Sequence, residues 1–161
     1  MKLFAAAVIV AAGYFLGGAA AEKRRLAYAQ SCGILRLLYA IRSGIDYARA
    51  DLFTVFASFS DPALAECGFM DALNSGAVPV KNAWDTACGR LSPDLPMISE
   101  IRSLGGQIGM SDAQTQIELI SKLASQLELR TEEARRELRA RVSSYRALGA
   151  LMGCMAAIII Y

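Results

Sequence analysis

The chain has 161 residues, with 17 Lys and Arg against 15 Asp and Glu, and no histidine. That length bounds it to one compact domain, the near-neutral balance gives no electrostatic reason for a nucleic-acid partner, and the missing imidazole removes Ser-His-Asp and Cys-His nucleophilic sites and most zinc-hydrolase sites. Apolar residues make up 55% of the chain but aromatics only 8%, because Ala, Leu, Ile and Gly are concentrated at the two ends, which is the pattern of a membrane protein.

The first predicted element is a transmembrane helix over residues 1–22. Residues 3–21 carry no charge and are long enough, at ~1.5 Å rise per residue, to cross a ~30 Å hydrocarbon core. The run stops at Glu22, Lys23, Arg24 and Arg25, and by the positive-inside rule this basic cluster holds its flank in the cytoplasm. The rival reading is a cleaved signal peptide, with Lys2 as a minimal positive region and Ala19, Ala20 and Ala21 as the cleavage site. That reading makes the mature chain a secreted all-helical binding protein beginning at Glu22. The basic cluster directly after the run speaks against it.

A cytoplasmic helical domain is predicted over residues 23–146. Leu26, Ala29, Gly33, Leu37 and Ala40 recur at three- and four-residue steps, and Ile34, Leu38 and Ile41 widen the apolar face. Gly44 ends or bends this helix, and residues 46–59 form a second, burying Leu52, Val55, Phe56 and Phe59. Asp61 and Pro62 start a third, since Asp caps free amides and Pro in the first turn forfeits no intrahelical bond; it is expected to reach residues 74–76. A further helix over residues 80–90 places Ala83, Trp84 and Ala87 on one face, with the single tryptophan as a core anchor rather than a partner-binding hot spot. Residues 92–96 break the pattern before a helix reaching Gly105.

The last helix has neither Gly nor Pro from residue 111 to 148. Ser111 and Gln114 have capping-box spacing at its start. Ile117, Ile120, Ala124, Leu127, Thr131, Ala134, Leu138, Arg141 and Tyr145 alternate three- and four-residue steps, a seam for antiparallel packing against an earlier helix. Residues 147–161 close the chain as a second, shorter membrane segment, flanked upstream by Arg135, Arg136, Arg139, Arg141 and Arg146. Both hydrophobic ends thus have their basic side toward the middle. Gly13 with Gly17 and Gly149 with Gly153 have the GxxxG spacing that lets membrane helices approach closely, although glycine is common in such helices without that role.

No catalytic, metal or cofactor site is predicted. The chain lacks GxxxxGK[ST] and GxGxxG loops, and Cys32, Cys67, Cys88 and Cys154 have no metal-ligand spacing, so they are read as reduced thiols in small apolar spaces. Glu132 with Arg136 and Glu137 with Arg141 fall at the spacing of surface helix pairs. The membrane-near arginines are also placed to touch anionic lipid headgroups.

Leu104, Gly105, Gly109, Ser111, Asp112 and Gln116 follow a Leu-Gly, Leu-Gly, Ser-Asp and Gln pattern, and residues 146–149 lead from Arg146 to Gly149 at the last hydrophobic run. Ala83 and Trp84 form an Ala-Trp pair, and Ile45, Tyr47 and Leu52 a short motif after the first helix. In these motifs, in their order and over essentially its whole length, the chain resembles the stage III sporulation protein AB family. Gly44 and Asp51 stand where that family usually carries an acidic residue and a proline. The resemblance implies a component of the secretion-like channel complex between mother cell and forespore, in the mother-cell membrane around the forespore. It also implies a cytoplasmic helical domain similar to the platform domains of type II secretion and type IV pilus machines. The implied partner is the ATPase stage III sporulation protein AA, with membrane lipid and further copies of the chain as other partners.

Overall fold

The structure is a computed structural model that describes the backbone of residues 2–48, 52–75, 79–108 and 112–160, and side chains for 22–46, 52–75, 79–108 and 112–138. Its described residues are helical: α1 (Lys2–Ser43), α2 (Leu52–Ser58), α3 (Pro62–Glu66), α4 (Phe69–Leu73), α5 (Val80–Cys88), α6 (Ile98–Leu104) and α7 (Ala113–Ile160), with a π-helical turn over Gly44–Ala48 between α1 and α2. No strand occurs among them, as the absence of period-two alternation in the sequence requires.

Two long helices supply the frame because their apolar stripes are complementary. On α1, Ile34, Leu37, Leu38 and Ile41 are fully buried, and on α7 so are Ile120 and Leu127, with Ala124 at 1% exposure. The helices run antiparallel. Near one end the Tyr39 hydroxyl donates to Glu128 Oε2 at 3.2 Å, and at the other Ala27 and Tyr28 share a cavity wall with Ala134 and Leu138. Each fully buried Leu or Ile on this seam contributes about 1.5–3 kcal/mol through area removed from water. Ala29 and Ala40 are half-buried, while Leu26, expected on the inner face, is 42% exposed.

Thr131 is the seam's weak point. It is 6% exposed, and among the described residues its hydroxyl has no hydrogen-bond partner. A buried hydroxyl without a partner costs about 1–3 kcal/mol, so Thr131→Val, which keeps the shape, is expected to stabilise the domain by ~1 kcal/mol in a denaturant melt. Destabilisation would mean that the hydroxyl is satisfied.

The small helices α2 to α6 close over the other side of the frame around Trp84. Its ring lies 5.9 Å from Phe69, edge to face, and 6.3 Å from Phe56, geometries that aromatic quadrupoles favour. Its indole N–H donates to the Ile101 carbonyl at 2.8 Å, which ties α5 to α6 and satisfies the one polar atom of the ring.

Three local expectations differ from the structure. The helix expected from Pro62 to residues 74–76 is two helices, because Gly68 takes φ +75 between them, a conformation that costs other residues a Cβ clash. α1 gives way at Gly44 as expected, but residues 44–48 form a π turn and the helix expected over residues 46–59 begins only at Leu52. The cap of α7 is Asp112: its carboxylate accepts from the Thr115 amide at 3.1 Å and the Thr115 hydroxyl at 2.7 Å. Gln114, expected to pair with Ser111, donates to Glu118 at 3.1 Å, and Ser111 lies outside the described residues.

Among the described residues, no helix is long and apolar enough to cross a membrane. The side chains of residues 2–21 and 139–160, which hold both hydrophobic runs, lie outside that description, and with them Gly13, Gly17, Gly149, Gly153, Arg139, Arg141 and Arg146.

Candidate functional site

Two regions of the fold bring the singled-out residues together. The first is the joint of α5 and α6. Leu104 is 2% exposed and Gly105 follows it at the C-cap of α6. A Cβ on Gly105 would stand 2.6 Å from Trp84 Cγ and closer still to Cδ1, so the Leu-Gly pair and the Ala-Trp pair are the two halves of one contact. Sequence spacing gave no sign of that contact. Asp112 follows as the cap of α7, and Gln116 is half-buried one turn later; Gly109 lies outside the described residues.

Where α3 meets α1 is a buried polar node that the sequence reading missed. Asp61 is 2% exposed, its Oδ1 accepts from the amides of Ala63 at 3.1 Å and Leu64 at 3.3 Å, and its Oδ2 pairs with Arg36 at 2.5 Å. Asp61 was identified as the cap of α3, but nothing in the sequence pointed to Arg36, 25 positions earlier, as its partner. Gly33 makes room for the node: a Cβ there would stand 2.8 Å from Asp61 Oδ1 and from Leu64 Cγ. A second tie to α1 comes from Gln30, 1% exposed, whose Oε1 accepts from the Ser92 amide at 2.8 Å.

The second region is the end of the frame where residues 23–28 of α1 lie against residues 130–138 of α7. Lys23 and Arg24 of α1 line a cavity together with Glu137 and Leu138 of α7, and Arg25 is exposed beside them. Along α7, Glu132 holds Arg135 and Arg136, each at 3.5 Å, and in the cavity wall Arg130 meets Glu133 at 3.2 Å. Such exposed pairs contribute little to stability. Of the cysteines, Cys88 is buried, and burial pushes its thiol up to about 12, so it stays protonated and unreactive. Cys32 and Cys67 are half-buried, less enclosed than expected, and Cys154 lies outside the described residues.

The profile of the stage III sporulation protein AB family, spore_III_AB, matches residues 2–161. The chain belongs to the stage III sporulation protein AB family. No curated protein and no solved structure matches it significantly. In this member of the stage III sporulation protein AB family, the motif residues have definable structural work: Trp84, Leu104 and Gly105 lock α5 onto α6, and Asp112 starts the long helix α7.

That cap carries a pH dependence. Hydrogen bonds from the Thr115 hydroxyl and amide hold the Asp112 carboxyl below its ordinary value. A carboxylate with a depressed folded-state value stabilises above its unfolded value, and the stabilisation is lost as pH falls through the folded one. Below about pH 4 the first turn of α7 is therefore expected to fray, read as faster hydrogen exchange at the Thr115 amide. Asp112→Asn should remove the pH dependence while keeping a cap; unchanged exchange at acid pH would contradict this.

Proposed function

We propose that this sporulation protein is a membrane-embedded assembly component of the channel complex between mother cell and forespore, whose helical head acts as a platform docking a cytoplasmic ATPase. The observation that carries the reading is the antiparallel pairing of α1 with α7. It sets Lys23 and Arg24 beside Glu137 and Leu138 at one end of the head, so the hydrophobic runs before residue 22 and after residue 146 depart from the same side. Two spans leaving one end, each with basic residues on the head side, suit a single bilayer with the head in the cytoplasm. The continuity of α1 from Lys2 to Ser43 also favours an anchor over a cleaved signal peptide, since the helix is unbroken at residues 19–22.

The proposed activity is binding and transmission of movement, not catalysis: α1 and α7 form a stiff stem and α2 to α6 a head held to it by the Asp61–Arg36 pair and the Gln30–Ser92 bond. Chemical crosslinking in sporulating cells, followed by purification from solubilised membranes, tests the reading. Recovery of stage III sporulation protein AA crosslinked to residues of α2 to α6 is expected. A mature chain in the medium whose intact mass begins at Glu22, with no such partner, would establish the secreted alternative.

A further inference from the structure

Between α1 and α7, at the end where both helices leave the head, lies a cavity of about 610 Å³, within the ~300–1,000 Å³ of ordinary small-molecule sites. Its walls carry Lys23, Arg24 and Arg130 as cations and Asp94, Glu133 and Glu137 as anions. Arg130 and Glu133 neutralise each other at 3.2 Å. Lys23, Arg24, Asp94 and Glu137 take part in none of the ion pairs formed among the described residues. Two cations and two carboxylates outside those pairs therefore share one cavity, over a lining that includes Ala27, Ala134 and Leu138.

We infer that this cavity binds the headgroup of an amine-bearing zwitterionic phospholipid, with Lys23 and Arg24 on the phosphodiester and Asp94 and Glu137 on the primary ammonium. The inference rests on the membrane reading above, because Lys23 directly follows the run at residues 3–21 and its flank, which puts the cavity at headgroup depth. Charge decides among lipids. A purely anionic headgroup would satisfy Lys23 and Arg24 but leave Asp94 and Glu137 facing a negative ligand. A choline headgroup has no N–H to donate to the carboxylates, and its recognition relies on aromatic cages, whereas among the described residues Tyr28 is the single aromatic in the lining. A primary ammonium donates charge-assisted hydrogen bonds to both carboxylates.

The test uses the full-length chain reconstituted into vesicles of phosphatidylglycerol with equal parts phosphatidylethanolamine and phosphatidylcholine, released in mild detergent, with retained lipid counted by native mass spectrometry. Retention of phosphatidylethanolamine over phosphatidylcholine is expected at roughly tenfold, the discrimination of about one charge-assisted contact. Asp94 and Glu137 are exposed, so Asp94→Asn with Glu137→Gln should abolish the preference without moving the melting temperature. Equal retention of the two lipids by the parent chain, or an unchanged preference in the double variant, overturns the inference. Insertion into the vesicles without preference sinks only the headgroup site, while failure to insert into any vesicle sinks the membrane reading with it.

Discussion

Trp84→Ala is expected to cost about 3–5 kcal/mol, the range for truncating a fully buried aromatic, and this is a large share of the ~5–15 kcal/mol that holds a domain folded. Three losses add up: the ring's burial at 0% exposure, its packing on Phe56 and Phe69, and the indole bond that satisfies the Ile101 carbonyl. Gly105 makes the effect diagnostic. Its backbone is right-handed, φ −59 and ψ −26, so alanine fits there conformationally and would by itself stabilise by ~0.4–1 kcal/mol through the unfolded chain. In the parent, Gly105→Ala meets the Trp84 ring and should instead cost ~1–3 kcal/mol as overpacking. In the Trp84→Ala background the Cγ and Cδ1 contacts are gone and only the Cβ at position 84 remains, 2.9 Å away, so the same change should cost less. Thermal melts of the four chains of this cycle check the reduced cost; a Gly105→Ala cost undiminished without the indole would show that the glycine answers to something else.

Asp61→Ala is the second large loss, expected at ~2–3 kcal/mol. The carboxylate is enclosed, and its removal orphans the Ala63 and Leu64 amides in the first turn of α3. Arg36 contributes less to the cost than its 2.5 Å contact suggests, because its side chain is 59% exposed and water can take over its charge. Asp61→Asn keeps an acceptor for the cap and should therefore cost less than the alanine change. Urea denaturation of the full-length protein in detergent orders the variants; an asparagine as damaging as the alanine would mean that the ion pair outweighs the cap.

Much of the fold was legible because burial follows periodicity. The stripe of Ile34, Leu37, Leu38 and Ile41 and the seam of Ile120, Ala124 and Leu127 were marked by three- and four-residue spacing, and all are buried. Trp84 was identified as an anchor from its size and its place beside Ala83 and Ala87, all at 1% exposure or less. What escaped were features set by contact rather than spacing. Gly68 sits inside an apolar pattern that reads as continuous, and its positive φ is a property of the turn between α3 and α4. Asp61 finds Arg36, and Gly105 finds Trp84, only once α3 lies on α1 and α6 on α5. The cap of α7 fell one residue later than the Ser111 spacing implied, because Asp112 offers two oxygens and takes both the amide and the hydroxyl of Thr115.

On the proposed reading, α1 and α7 carry both hydrophobic ends into one bilayer with the head on the cytoplasmic side. Labelling with a membrane-impermeant maleimide, in intact and in opened sporulating cells, measures this directly on the variant Ser75→Cys, whose site is exposed on the head. The protein is predicted to stay in the membrane fraction after alkaline extraction and to react at that cysteine only once the cells are opened. Full reaction in intact cells, or recovery of the chain in the soluble fraction without detergent, would contradict it.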